Sequence, residues 1–126
     1  MIRTSIKTNL SVTQTNGEHT ITADVGKDNC GDDSALSPHE LLEASLGACT
    51  TITVLMYARR KQWRLKDVVT TVKVVSEKEE INEISREIQL IGDIDQEQKE
   101  RLMEIANKCP MHKFLSKKSS ITTKAV

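Results

Sequence analysis

The sequence has 126 residues, 18 Lys+Arg against 18 Asp+Glu, a formal net charge of +0 and a pI near 6.8. The length suits one domain spanning residues 1–126, and the balanced charge lacks the basic excess expected of a nucleic-acid partner. Only Tyr57, Trp63 and Phe114 are aromatic, which leaves little for base stacking or a ring-lined pocket and makes the core aliphatic.

The opening MIRTSIKTNL has no apolar run of signal-peptide length, and nowhere is there an uninterrupted run of 18 apolar residues. The expectation is a cytoplasmic chain with no membrane contact. The sequon Asn9-Leu10-Ser11 is then a chance match. Cys30, Cys49 and Cys109 cannot form a closed disulfide framework, and cytosolic cysteines are more often buried, reactive or metal-bound.

In chain order, Ile6, Thr8, Leu10 and Val12 alternate with polar residues and read as one half-buried strand. Asn16-Gly17 is a strong hairpin signal, and His19, Ile21, Ala23 and Val25 form the returning strand. Gly26 to Ala35 is a polar loop holding Cys30. A helix follows from Ser37 to Lys61, SPHELLEASLGACTTITVLMYARRK. Ser37 is its N-cap, Pro38 its first residue and Glu40 the reciprocal capping partner. Arg59, Arg60 and Lys61 complement the dipole at its far end. From Leu46 onward apolar residues cover most of its circumference, so burial nearly all round is expected. At roughly 1.5 Å per residue such a helix is about 36 Å long, which a chain this short has trouble covering alone.

Leu65 to Lys78 is rich in valine and threonine, with Val68, Thr70, Val72 and Val74 on one face, and reads as a strand. Glu79 and Glu80 fit a turn. Ile84, Arg86, Ile88 and Leu90 share a face of an antiparallel partner strand that Gly92-Asp93 should break. Asp95 caps a second helix with Gln98 in the capping-box position, and Leu102, Ile105 and Ala106 are its apolar stripe. Asn107-Lys108 closes it. Cys109-Pro110 opens a short helix with Met111, Phe114 and Leu115 inward. Ile121, Thr123 and Ala125 suggest a final strand. The mixed order with hairpins points to an α+β fold.

Three residues stand out chemically. Cys49 lies mid-helix, where a free cysteine commonly packs as a small hydrophobe. Gly47 nearby costs a helix about 1 kcal/mol relative to alanine and permits close approach of another backbone. The run Thr50, Thr51, Thr53 puts hydroxyls beside the thiol. Cys109 sits at a helix N-terminus, where N–H groups favour the thiolate, and His112 is three residues on. A Cys109 nucleophile with a His112 base is one reading and an indifferent cap the other. Zinc, needing about four ligands, is disfavoured because no CxxC or HxxxH pair occurs. Arg86 faces inward, where it requires an anion. Glu40 and Glu43 are the candidate structural partners.

SPHELLEASLGACTTITVLMYARRK and KCPMHKFL resemble the two cysteine motifs of the OsmC/Ohr family. HTITADVG and IQLIGDIDQEQKERLMEIANKCP extend the resemblance over most of the chain. The closer likeness is to the less characterised OsmC-like branch, with its Pro-x-Glu-Leu-Leu and Cys-Pro-x-His signatures. The resemblance implies an intertwined homodimer with long central helices packed between antiparallel sheets. Better-studied members are thiol-dependent peroxidases of organic hydroperoxides. Carried over, Cys49 is the peroxidatic thiol and Cys109 the resolving one, although the dipole argument alone makes Cys109 the more acidic. An external dithiol is the implied reductant, a lipoyl-type donor being what the family suggests, and no metal, flavin or haem is called for. The family's peroxidases use an N-terminal arginine and a glutamate at the helix start. Here the only N-terminal arginine is Arg3, and His39 stands at the glutamate position with Glu40 beside it. Arg86 is the candidate for the arginine's role, backed by Glu40 or Glu43. The alternative is a non-enzymatic dimer that senses oxidants through the same thiols or binds an apolar small molecule.

Overall fold

The computed structural model describes residues 1–126, whose elements run β1 (Arg3–Thr8), β2 (Ser11–Thr15), β3 (Thr20–Ala23), α1 (Pro38–Arg60), β4 (Arg64–Glu77), β5 (Asn82–Asp93), α2 (Gln96–Ala106) and α3 (Pro110–Leu115). A 3-10 turn, Lys27–Asn29, lies in the loop before α1. The chain forms two compact units, Met1–Ala44 and Ser45–Val126.

In the first unit β1, β2 and β3 make an antiparallel sheet in that order. The single strand expected from Ile6 to Val12 is two strands. Asn9 adopts a left-handed φ of 49°, and the Ser11 hydroxyl donates to the Thr8 carbonyl at 2.8 Å, so the chain reverses at Asn9-Leu10. Asparagine tolerates that conformation because its short polar side chain bonds locally; here Nδ2 donates to the Cys30 carbonyl at 3.1 Å. The half-burial expected there is also corrected. Every residue of β1 is exposed, Ile6 by 79%. Asn16-Gly17 does turn the next hairpin, with Gly17 at φ 102° and Asn16 Oδ1 accepting from the backbone of Glu18 and His19.

The polar loop after β3 is organised by buried Asp24. Its carboxylate accepts from the Ser34 hydroxyl and the backbone of Ser34 and Val25. These bonds, the Ser34 hydroxyl first, hold it below the ordinary carboxylate range. Gly31 is obligatory, since a Cβ there would meet the Val25 carbonyl at 2.0 Å. At the start of α1 the expected capping box is formed: Glu40 Oε2 accepts from Ser37 N at 2.7 Å and Ser37 Oγ from Glu40 N at 3.3 Å.

In the second unit β4 and β5 pair antiparallel over nearly their whole length. Val68, Thr70, Val72 and Val74 face inward, as do Ile84, Arg86, Ile88 and Leu90 opposite them. Gly92 does not break β5, which runs to Asp93. It takes φ 152° beside a bulge in β4, where a Cβ would come within 2.3 Å of the Arg64 carbonyl. The core joins Val54 and Ala58 of α1, Val68 of β4, Ile94, and Leu102 and Ala106 of α2. Asp95 caps α2 with Gln98 in a full capping box.

Burial of α1 all round is not reached within one chain. Only Leu46, Thr50, Val54 and Ala58 are buried, every fourth residue along one stripe, while Ile52 and Met56 stay 57% and 56% exposed. By length and composition, at mean hydropathy 1.4, α1 also meets the requirements of a membrane span. In α3, Met111 and Leu115 are half-buried but Phe114 points out, 60% exposed. The expected last strand is absent: residues 118–126 take no regular structure. Ile121, Thr123 and Ala125 find no ladder partner, and an unpaired strand leaves its backbone groups to water.

Candidate active site

Three elements of the second unit converge on Cys109. It is the N-cap of α3, with Pro110 at the first helical position and no exposed surface. The turn after α2 sets it there, its own N–H reaching the Ala106 carbonyl at 3.3 Å. Cys109 Sγ accepts from the His112 N–H at 3.2 Å and from the Thr50 hydroxyl of α1 at 3.7 Å. Burial pushes the Cys109 thiol up, but the His112 N–H, Thr50 hydroxyl, Cys49 thiol and Met111 N–H together bring it below the ordinary thiol value. Cys49 itself is half-buried, and Cys30 is exposed at a left-handed φ of 62° in the other unit.

Arg86 enters from the inward face of β5. Its Nη1 donates to Thr50 Oγ1 at 3.0 Å and to the Ala106 carbonyl at 3.3 Å, and its Nη2 to Asn107 Oδ1 at 2.7 Å. An arginine on an otherwise aliphatic strand face is thus held by three uncharged acceptors. Burial, then the charge of Arg86, holds the His112 imidazole below the usual histidine range. The site therefore combines a buried, hydrogen-bonded thiol, a second thiol next to Thr50, a fixed positive charge and an imidazole. That set suits thiol–disulfide chemistry, in which a thiolate is the attacking species.

A family model described as OsmC-like protein matches residues 31–124. The chain belongs to the OsmC-like family. No curated protein sequence matches it. Among solved structures, an OsmC-like protein from Mycoplasma pneumoniae is similar at TM-score 0.75 and 18% identity, over 92% of this chain and 86% of that one. A protein of Psychrobacter arcticus described as an osmotic stress induced and detoxification response protein is similar at TM-score 0.75 and 21% identity, over 90% and 85%. An organic hydroperoxide resistance protein OsmC from Legionella pneumophila is similar at TM-score 0.68 and 21% identity, over 91% and 87%. At these identities the likeness establishes the OsmC-like α+β fold, and the family includes proteins named for organic hydroperoxide resistance.

Within this OsmC-like chain the structure joins Cys49, Cys109 and Arg86 in one cluster. The acceptors that hold Arg86 are Thr50, Ala106 and Asn107 rather than the expected carboxylate of Glu40. Glu40 is engaged in the α1 capping box, where the Ser37 N–H and hydroxyl hold its carboxyl below the ordinary range. Glu43 is half-buried on α1, one turn before Gly47. His39 stands in the first turn of α1 and Arg3 opens β1. Thr50, the Ala106 carbonyl and Asn107 are site groups that the pattern reading did not assign. The signal for the Ala106 carbonyl was available, since carbonyls at a helix C-terminus lack intrahelical donors and attract cations. A cavity of about 540 Å³ elsewhere in this unit is lined by Tyr57, Trp63 and Arg101 among others and includes neither thiol nor Arg86.

Proposed function

We propose that the chain is a thiol peroxidase that reduces organic hydroperoxides with Cys49 and Cys109. The observation that carries this reading is the approach of α1 to Cys109: the hydroxyl of Thr50, next in the chain to Cys49, lies 3.7 Å from the Cys109 sulfur, which brings the two thiol-bearing segments into one site. The Cys49 thiolate attacks the distal oxygen of the hydroperoxide; the alcohol leaves and Cys49 becomes a sulfenic acid. Cys109 condenses with it to a disulfide and water departs. An external dithiol reduces the pair. Half-buried Cys49 is open to substrate, while enclosed Cys109 suits the resolving step.

The same reading places the chain in the cytoplasm as a homodimer. Exposed Leu42, Ile52 and Met56 on α1 support the dimer, since a long apolar helix left open is a liability for a soluble monomer.

The test is hydroperoxide consumption with dithiothreitol as reductant, with mass spectrometry after one equivalent of cumene hydroperoxide. Wild type should turn over and show a Cys49–Cys109 disulfide. Cys49→Ser should abolish consumption. Cys109→Ser should leave one turnover and expose Cys49 to overoxidation. Absence of the disulfide in wild type sinks the two-cysteine mechanism. A single oxidation without turnover favours the redox-sensor alternative.

A further inference from the structure

Thr50 stands between Arg86 and Cys109, and the hydrogen bonds around it have a direction. A guanidinium offers donors only. The 3.0 Å contact from Arg86 Nη1 therefore uses a lone pair of Thr50 Oγ1 and leaves the hydroxyl proton to be donated. The Cys109 sulfur lies 3.7 Å from that oxygen. Thr50 is fully buried, so bulk water does not compete for the proton. The same sulfur receives the His112 N–H at 3.2 Å, and the Cys49 thiol is among the groups that bring Cys109 below the ordinary thiol value. Donors converging on one enclosed sulfur favour an ionised acceptor, because hydrogen bonds to a charged group are the stronger kind.

We propose that Thr50 is a positioning residue that relays the Arg86 charge to the Cys109 sulfur, so that the thiol pair holds its one shared proton on Cys49 and Cys109 receives that proton when Cys49 reacts. This deepens the two-thiol reading and rests on it. Cys109 Sγ takes the proton of Cys49, and the Cys49 thiolate so formed attacks the distal peroxide oxygen as the O–O bond breaks. The leaving alkoxide takes the proton and departs as the alcohol, Cys109 is a thiolate again, and Cys49 is a sulfenic acid. Cys109 Sγ then bonds to Cys49 Sγ and hydroxide leaves. The two sulfurs lose two electrons and the hydroperoxide gains them. Buried Cys109 thus assists as base first and as resolving thiol second, without meeting substrate.

The charged and titratable groups at Cys109 are Cys49 of α1, Arg86 of β5 and His112 of α3, with Lys108 exposed beside it in the chain. The end of α2 contributes the neutral Ala106 carbonyl and Asn107 amide. Thr50→Val removes the hydroxyl and keeps the shape, and Thr50→Ser restores it. Thiolate absorbance near 240 nm is titrated against pH for the reduced proteins, in a Cys30→Ser background. Thr50→Val should move the first titration upward by about one pH unit, the scale of one hydrogen bond to a charged group. Thr50→Ser should titrate near wild type. Arg86→Gln should shift the midpoint as Thr50→Val does, and the double variant no further, since one chain carries both effects. Should Thr50→Val not fold, the Arg86→Gln shift and the Thr50→Ser profile still decide. A Thr50→Val or Arg86→Gln titration superimposable on wild type overturns the relay, as does a Thr50→Ser profile displaced as far as that of Thr50→Val. The measurement needs no hydroperoxide. A shifted Thr50→Val in a protein that consumes no peroxide keeps the relay and rejects the enzymatic reading.

Discussion

Arg86 shows how one residue on an aliphatic strand face can be explained by what it touches. It shares the inward face of β5 with Ile84, Ile88 and Leu90, and its head makes hydrogen bonds to Thr50, Ala106 and Asn107. A cation removed from water needs compensation, and here dipoles supply it, leaving the charge available to a nearby anion. Arg86→Met retains the apolar stem and removes the charge. At neutral pH, alkylation of the thiol pair should then slow about tenfold, the equivalent of roughly one unit in thiol acidity. Iodoacetamide rates against pH, in wild type and Arg86→Met, provide the check. Superimposable profiles with a lowered melting temperature would make Arg86 purely structural. The inward direction of Arg86 was legible from alternation with Ile84, Ile88 and Leu90. Its partners were not, because Thr50, Ala106 and Asn107 lie on two other elements and no local pattern links them to β5.

At the scale of elements, α1 carries the clearest sequence signals and leaves one question at Gly47. Glycine in a helix interior is unfavourable, and close approach of another backbone was the expected compensation. Within the protomer, a Cβ at Gly47 would meet Val72 Cγ2 at 3.6 Å and the Thr70 carbonyl at 4.0 Å, which is ordinary contact. Gly47→Ala should therefore raise stability by up to about 1 kcal/mol through helix propensity, read as a higher melting temperature at low protein concentration. A marked loss instead would mean that something outside the protomer needs that space. Gly92 behaves in the opposite sense, since its Cβ would enter the backbone of the bulged β4. Both glycines face β4, and they differ because a Cβ at Gly92 would lie 2.3 Å from its backbone while one at Gly47 would come no nearer than 3.6 Å.

For the whole molecule, the unburied part of α1 is the main physical fact. Leu46, Thr50, Val54 and Ala58 occupy one stripe, and Leu42, Ile52 and Met56 remain open. In the first unit Ile6 and Ile21 are also exposed. Exposed apolar area of this kind favours self-association. Sedimentation at micromolar concentration should give a dimer, with unfolding that depends on protein concentration. A stable folded monomer under those conditions excludes the proposed assembly. A charge at the helix surface, Ile52→Lys, should weaken the dimer and leave the isolated hydrogen bonds of the thiol site unaltered.

The sequence by itself determined what nearest neighbours dictate. Capping residues set the starts of α1, α2 and α3, alternation set the inward faces of β4 and β5, and the two cysteine motifs pointed to the family. Local patterns were less reliable where a turn kept the alternation in step, as at Asn9-Leu10, or where a segment needed a distant partner, as at Ile121 to Ala125. Only the tertiary structure decided which groups meet. It put the Thr50 hydroxyl between the Cys109 sulfur and Arg86. Those contacts join α1, β5 and α3; a core of Val54, Ala58, Val68, Leu102 and Ala106, with Ile88 and Leu90 of β5 packed against it, sets α1 against the sheet and α2. Hydrophobic burial is non-directional, so a sequence can specify that these residues are inside without stating which polar groups their packing brings together.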